Sequence, residues 1–292
     1  MKLGITFPQT EIGPDAGAVR SFAQAVEDAG YHHLLVFDHV LGASPANRPG
    51  WRGYTNRDPF HEVFVLFGYL AAVTERIELT TGVLVLPQRQ TALVAKQAAE
   101  VDRLSGGRLR LGVGIGWNAV EYQALGADFH QRGRLIEEQI ALLRAFWTND
   151  VVTFHGRWHH VEEAGINPSA LQRPIPIWIG ASAEPALRRA ARLADGWIPN
   201  VPGLDDQAIR DQVQRFRRFV HEAGRDVATV GLEGLIRLAD GDDVVLRRAR
   251  LWRELGATHL SISTMGGGLA RPQEHIDAIR RIKPLLDEAL TL

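Results

Sequence analysis

Cysteine is absent from the 292 residues, which removes disulfides, thiolate metal sites and cysteine nucleophiles from consideration. Lysine is nearly absent too, occurring only at positions 2, 96 and 283, so arginine carries almost all of the basic charge. The formal net charge is −1, and no basic run is interleaved with aromatics, so the chain lacks the field that holds a phosphate backbone. Nucleic acid is therefore not an expected partner. Long apolar runs are missing as well: the longest, from Val63 to Val73, is interrupted and falls short of the roughly 20 residues of a membrane span. No basic segment, apolar core and cleavage site stands ahead of the strand-like LGITFP near the first residue. The expectation is a cytoplasmic protein with no membrane partner. Repeats, low-complexity segments and linkers are absent, which points to a single domain over 1–292.

What is present is the balance of a globular chain with a large core, with 45% apolar and 23% charged residues. The stretch around which the rest is organised is GGRLRLGVGIGWNAVEY, from Gly106 to Tyr122. A glycine turn feeds the apolar run Leu109, Leu111, Val113, which breaks into Gly114, Gly116 and Trp117 before a helix-like AVEY. Glycines at alternate positions bare the backbone for a close approach, either of a flat ligand or of neighbouring protein.

The pattern on both sides of this stretch alternates. Leu3–Phe7, Leu34–Phe37, Ile77–Leu86, Leu109–Val113, Ile175–Gly180, Trp197–Pro199, Val230–Leu238 and His259–Ser263 read as apolar strands. Between and after them, helical spacing appears at Asp15–Ala29, from near Pro59, at Thr91–Leu104, Arg132–Trp147, Glu184–Ala194, within Asp205–Ala223, at Asp242–Leu255 and at Pro272–Leu290. Eight strands in strict alternation with about eight helices predict an α/β fold, a (β/α)8 TIM barrel. Insertions follow strand two (a polar loop, Leu41 to Asp58) and strand four (a hairpin, Val151 to Glu163, turning at Gly156). Both are expected on one face, where they would close over a ligand.

In such barrels the active site lies at the carboxyl ends of the strands. Four places there carry polar or bare residues: Asp38-His39, Gly82-Val83, Gly114 to Asn118, and Gly180 to Ser182. His39 carries a side chain that can take or give a proton, and Asp38 either orients it or turns away along the strand. Gly180-Ala181-Ser182 opens a helix, whose unpaired amides form an anion site without lysine or serve a plain N-cap. His32-His33 sits at the opposite end of its strand and reads as structural, His61 is a weak candidate, and His159-His160 is ambiguous. Glu121, Arg89 and Arg134 read as ordinary helix and surface pairing. No His-x-His or His-x-x-x-His spacing occurs at a strand end, so no metal site is expected.

The stretches VFDHV, DPFHEVFVLFGYLAAVTERIELTTGVLVLPQR, ALVAKQAAEVDRLSGGRLRLGVGIGWNAVEYQALG, RGRLIEEQIALLRAFW and PIWIGASAEPALRRAARLADGWIP resemble the luciferase-like flavin oxidoreductase superfamily, and within it the branch that uses coenzyme F420. They cover most of residues 1 to 200 in order. The resemblance implies an oxidoreductase passing hydride between F420 and a small organic substrate, with an FMN-dependent two-component monooxygenase, served by a separate reductase, as the alternative. His39, by its place at a strand end, is the expected catalytic residue, and the resemblance implies a non-prolyl cis peptide at Gly82-Val83 against the flavin ring. A phosphate cradle at Gly180, Ala181 and Ser182, with further coenzyme contacts from Asp38, Gly114 and Asn118, completes the coenzyme site. Trp51, Tyr54 and Trp117 would shape the substrate pocket. Sugar-phosphate dehydrogenases of the F420 branch carry a glutamate near the position of Trp117, and this chain departs from them there. Barrels of this family are often homodimers, and the apolar helix from Pro59 to Ala72 offers a self-complementary patch.

Overall fold

The structure, a computed structural model, describes residues 1–200, 203 and 205–291. In chain order it runs β1 (Lys2–Thr6), α1 (Ala16–Asp28), β2 (His33–Val36), α2 (Val63–Val73), β3 (Glu78–Thr81), β4 (Leu84–Val85) and α3 (Thr91–Leu104). It continues with β5 (Leu109–Gly114), α4 (Ala119–Ala124), α5 (Arg132–Thr148), the pair β6 (Val152–His155) and β7 (His160–Ala164), then β8 (Ile177–Ala181) and α6 (Glu184–Leu193). The last third adds β9 (Gly196–Pro199), α7 (Asp206–Glu222), β10 (Gly231–Arg237), α8 (Asp242–Glu254), β11 (His259–Ser263) and α9 (Pro272–Thr291).

All strands except β6 and β7 join one parallel sheet in the order β3-β2-β1-β11-β10-β9-β8-β5-β4, and β3 also pairs with β5 through Leu79 and Leu109. That last pairing closes the sheet into a (β/α)8 barrel. Its strands are buried almost throughout, since helices cover the outside and side chains fill the inside, which is why they read as continuous apolar runs. Among the described residues no helix is long and apolar enough to cross a membrane.

The third strand departs from the expected continuous Ile77–Leu86. It is two pieces, β3 and β4, separated at Gly82-Val83, where the peptide is cis. Up to the break Gly82 N still donates to Val36 O at 2.7 Å, and beyond it Leu84 pairs with Val113. Helix α2 also starts later than Pro59, because Glu62 is its N-cap and accepts a bond from Val65 N at 2.8 Å. Most of its apolar residues are core, while Val65, 74% exposed, and Ala72 face outward.

The barrel interior is plugged at the amino-terminal end of the strands by a polar group. Arg110 Nη1 and Nε donate to Glu233 Oε2 and Glu78 Oε1, both at 2.6 Å, and its guanidinium lies 4.3 Å from the Trp178 ring. His33 Nε2 lies 2.9 Å from Glu233 Oε1 and 2.8 Å from Ser261 Oγ. Burial alone would raise the Glu233 carboxyl; Arg110 and His33 outweigh it and hold the group far below the usual carboxylate range. His33 thus points inward while His32 is exposed, as alternation along a strand requires.

The hairpin β6–β7 pairs antiparallel with His155 opposite His160. None of its residues is among those lining the cavity at the barrel mouth. Its turn is fastened to the flank of α5, where Glu138 accepts bonds from the amides of Arg157, Trp158 and His159 at 2.7 to 2.9 Å. The His159 ring bridges Glu138 and Thr91 at the start of α3, which resolves its role as structural.

Candidate active site

The carboxyl ends of β2, β4, β5, β8 and β9 surround a cavity of about 460 Å3. Ten of the twelve residues singled out from sequence line it: Asp38, His39, Tyr54, Gly82, Val83, Gly114, Trp117, Gly180, Ala181 and Ser182. Trp51 and Asn118 do not. A second cleft of about 570 Å3 between the loops after β10 and β11 and helix α9 contains none of the twelve, and its Arg281 is already paired with Asp242. The residues singled out from sequence therefore converge on the first cavity.

The floor of that cavity is Val83. A Cβ on Gly114 would come within 2.5 Å of Val83 Cγ2, and one on Gly180 within 2.8 Å of Val83 Cγ1. The two glycines are bare so that the isopropyl group can lie between β5 and β8. Of the two readings left open by the sequence for Gly114 and Gly116, close approach of protein accounts for both, since a Cβ on Gly116 would meet Val85 Cγ1 at 2.7 Å, and the side chain that Gly114 and Gly180 admit to the cavity lining is Val83.

His39 stands on the wall beside this floor. Its Nδ1 lies 3.2 Å from Oε2 of Glu121, from helix α4. Glu121 is buried and fully engaged: Oε1 accepts from Val40 N at 2.6 Å and Leu41 N at 3.2 Å, and Oε2 also accepts from Gln88 Nε2 at 3.1 Å. Burial raises the Glu121 carboxyl, but the bonds from His39, Gln88 and Val40 win and leave it below its ordinary value. An ionised Glu121 accepts the Nδ1 proton of His39 and leaves Nε2, which has no protein hydrogen bond among the described residues. The reading of Glu121 as ordinary helix pairing is corrected here. Asn118-x-x-Glu121 has the spacing of a capping box, and Asn118 does cap α4, its Oδ1 accepting from Val120 N at 3.1 Å, but Glu121 reaches across to the loop after β2 instead.

Asp38 turns away from His39. Its Oδ1 accepts from Arg89 Nη2 at 2.7 Å and its Oδ2 from Val85 N at 3.0 Å, so it fixes the strand beyond the Gly82-Val83 peptide. Burial pushes the Asp38 carboxyl above its ordinary value against the pull of Arg89, whereas at Arg89 the attraction of Asp38 and Glu62 outweighs burial and raises it. With the proton held by so strong a base, the pair is ionic at neutral pH. His61 packs edge-on to Phe7 at 6.1 Å and stays outside the cavity lining; Arg134 is exposed and outside it too.

Aromatic rings close the site around His39, with centroids of Phe60, Tyr54 and Trp117 at 4.9, 5.2 and 6.0 Å. Trp51 stacks behind Trp117 at 5.6 Å, and its Nε1 donates to Tyr54 O. The loop after β2 is thus folded over one side of the cavity. It is braced by Asp58, which accepts from both Thr55 N and Thr55 Oγ1. At the opposite side α6 begins with Ala183 as its N-cap and no side chain capping the first turn, so the plain-cap reading of Ser182 fails. The orphan amides of that turn stand beside the exposed Ser182. No lysine or arginine lines the cavity.

A family model described as luciferase-like monooxygenase matches residues 1–285. The chain belongs to the luciferase-like monooxygenase family. Within this family, an uncharacterized protein of Mycobacterium tuberculosis is 37% identical over 222 residues, covering 73% of this chain and 76% of that protein. The FMNH2-dependent dimethylsulfone monooxygenase of Pseudomonas putida is 30% identical over 228 residues, covering 77% of this chain and 59% of its own length. Among solved structures, an F420-dependent secondary alcohol dehydrogenase in complex with an F420-acetone adduct aligns over 98% of both chains with a TM-score of 0.79 at 16% identity. The luciferase-like barrel is therefore shared by proteins named for F420 and for reduced FMN.

Proposed function

We propose that this luciferase-like protein is an oxidoreductase that holds coenzyme F420 in the Val83-floored cavity and exchanges hydride with a small, uncharged organic substrate such as an alcohol, aldehyde or enone. The observation that carries the reading is the His39–Glu121 pair, a proton-handling ring held at one nitrogen by a carboxylate and set among aromatic walls. Hydride exchange with a hydroxyl or carbonyl needs one group of this kind.

The residues present fit such a coenzyme. A cavity of about 460 Å3 is in the range of small-molecule sites, and the isopropyl face of Val83 offers a flat ring an apolar support. The uncapped start of α6, with Ser182 beside it, suits a phosphate, since backbone N–H groups at a helix N-terminus favour anions. Bound there, F420 supplies a ring carbon that donates or accepts hydride.

The chain's own part is orientation and proton management. Glu121 fixes the tautomer of His39 with the proton on Nδ1, so Nε2 takes the hydroxyl proton as a substrate alcohol loses hydride, or His39 returns a proton to the carbonyl oxygen in the reverse direction. Trp117, Tyr54 and Phe60 exclude water and hold the substrate, with Trp51 stiffening Trp117. Asp38 and Arg89 keep β4, and through it the floor, in place.

A second reading is favoured by one observation, the 30% identity to a monooxygenase named for FMNH2. In that reading the same cavity takes reduced FMN from a separate reductase and the reaction consumes oxygen. Assaying F420 reduction with a panel of short alcohols, beside oxygen uptake with FMNH2, separates the two. Turnover with F420 and no oxygen uptake supports the first, and the opposite pattern overturns it.

A further inference from the structure

The outer face of the β6–β7 hairpin carries a second constellation, far from the cavity residues in the fold and unrelated to their chemistry. Alternation places Val152 and Phe154 toward α5 and the core, and sends Thr153 and His155 outward. On β7 the same alternation sends His160 and Glu162 outward, and the register sets His155 opposite His160. Three metal-binding side chains therefore share one face of a two-stranded ribbon.

Their ligand atoms converge. His155 Nδ1 and His160 Nε2 are 2.9 Å apart, and each lies 3.5 Å from Glu162 Oε1. A hydrogen bond between the two rings accounts for the first distance, and two separate ion-pair contacts of Glu162 with the rings account for the others. A common centre accounts for all three: a triangle with these edges has a circumradius of about 1.9 Å, and zinc bonds to imidazole and carboxylate run about 2.0–2.2 Å. An ion placed slightly above the plane of the three atoms would reach each at its normal bond length. Edges of about 3.3 Å are also those of a tetrahedron with such bonds.

We propose that His155, His160 and Glu162 form a surface site for a divalent transition cation of the zinc type, with water in the fourth position. Two imidazoles and one carboxylate suit zinc and exclude magnesium and calcium, which take oxygen donors. The site would clamp the two strands across the four-residue turn, whose opposite side is already fastened by Glu138. Zinc would then stiffen the segment that links α5 to β8 without entering the barrel. All three side chains are exposed, so their removal leaves the core intact.

The test uses the full chain, stripped of metal by a chelator and titrated with zinc chloride by calorimetry, with amide exchange followed over residues 152–164. The wild type should take up one zinc per chain and slow exchange across the hairpin. A His155→Ala, His160→Ala double variant should lose that equivalent and the added protection, and Glu162→Gln should weaken binding by about 10-fold or more, as loss of ligand-shell groups does. Zinc uptake of the same stoichiometry and affinity in the double variant, or no uptake by the wild type, would overturn the proposal.

Discussion

His39 and Glu121 are 82 positions apart in the chain and 3.2 Å apart in space, and the same carboxylate holds the amides of Val40 and Leu41. One buried side chain thus shapes the backbone after β2 and aims the ring that stands on it. Loop and ring are a single unit, which makes their energetics and the proposed chemistry testable together.

Replacing His39 with alanine should lower turnover by about 10²- to 10⁴-fold, the usual contribution of a general acid or base, with coenzyme affinity unchanged. Steady-state rates beside a coenzyme titration check both halves. Normal turnover would assign the proton to water or another residue.

Glu121→Gln should destabilise the protein by about 1–3 kcal/mol at pH 7, because several bonds to a buried charged acceptor are weakened at once. Glu121 has a folded pKa below its ordinary value, so its stabilisation is fully present above the unfolded value near 4.5 and is lost as the pH falls through the folded one. Urea midpoints of wild type and variant should therefore draw together as the pH falls from 4.5. A gap that stays constant down to acid pH would contradict this account.

Much of the barrel is legible in the sequence because its strands are apolar on both faces and its helices keep one apolar stripe. Helix α3 and strand β11 have the bounds that periodicity assigns. What is not legible depends on long-range contacts. Gly82 marks a bare place late in the third strand, but the cis peptide that breaks the strand there is implied only by the family resemblance. Glu121 reads as ordinary helix and surface pairing because its partners His39, Val40 and Leu41 belong to another stave of the barrel. The hairpin reads as a lid because its length is visible and its fastening to Glu138 is not. Asn118 and Trp51 do not line the cavity: one caps a helix and the other packs on Trp117.

The floor makes a separate prediction. Gly114→Ala should drive Val83 off its seat, since the new Cβ falls within 2.5 Å of Val83 Cγ2, and coenzyme affinity should fall while the fold persists. Adding Val83→Ala should restore part of that affinity, giving a non-additive double-mutant cycle. Additive losses would mean that the two positions do not act through each other.

At the other end of the barrel, Glu233→Ala should cost about 3–5 kcal/mol in urea unfolding, the penalty for leaving a buried cation such as Arg110 without its partner. Coenzyme binding should be unaffected in the protein that remains folded. A loss below about 1 kcal/mol would show that Glu78 alone satisfies Arg110.

The central claim is that the Val83-floored cavity is a deazaflavin site, and the most direct measurement is a fluorescence titration of the protein with F420 and, separately, with reduced FMN under anaerobic conditions. The account predicts saturable binding of one F420 per chain, weakened in Gly114→Ala and retained in His39→Ala. Saturation by FMN alone would contradict the deazaflavin assignment, and indifference to both coenzymes would contradict the site itself.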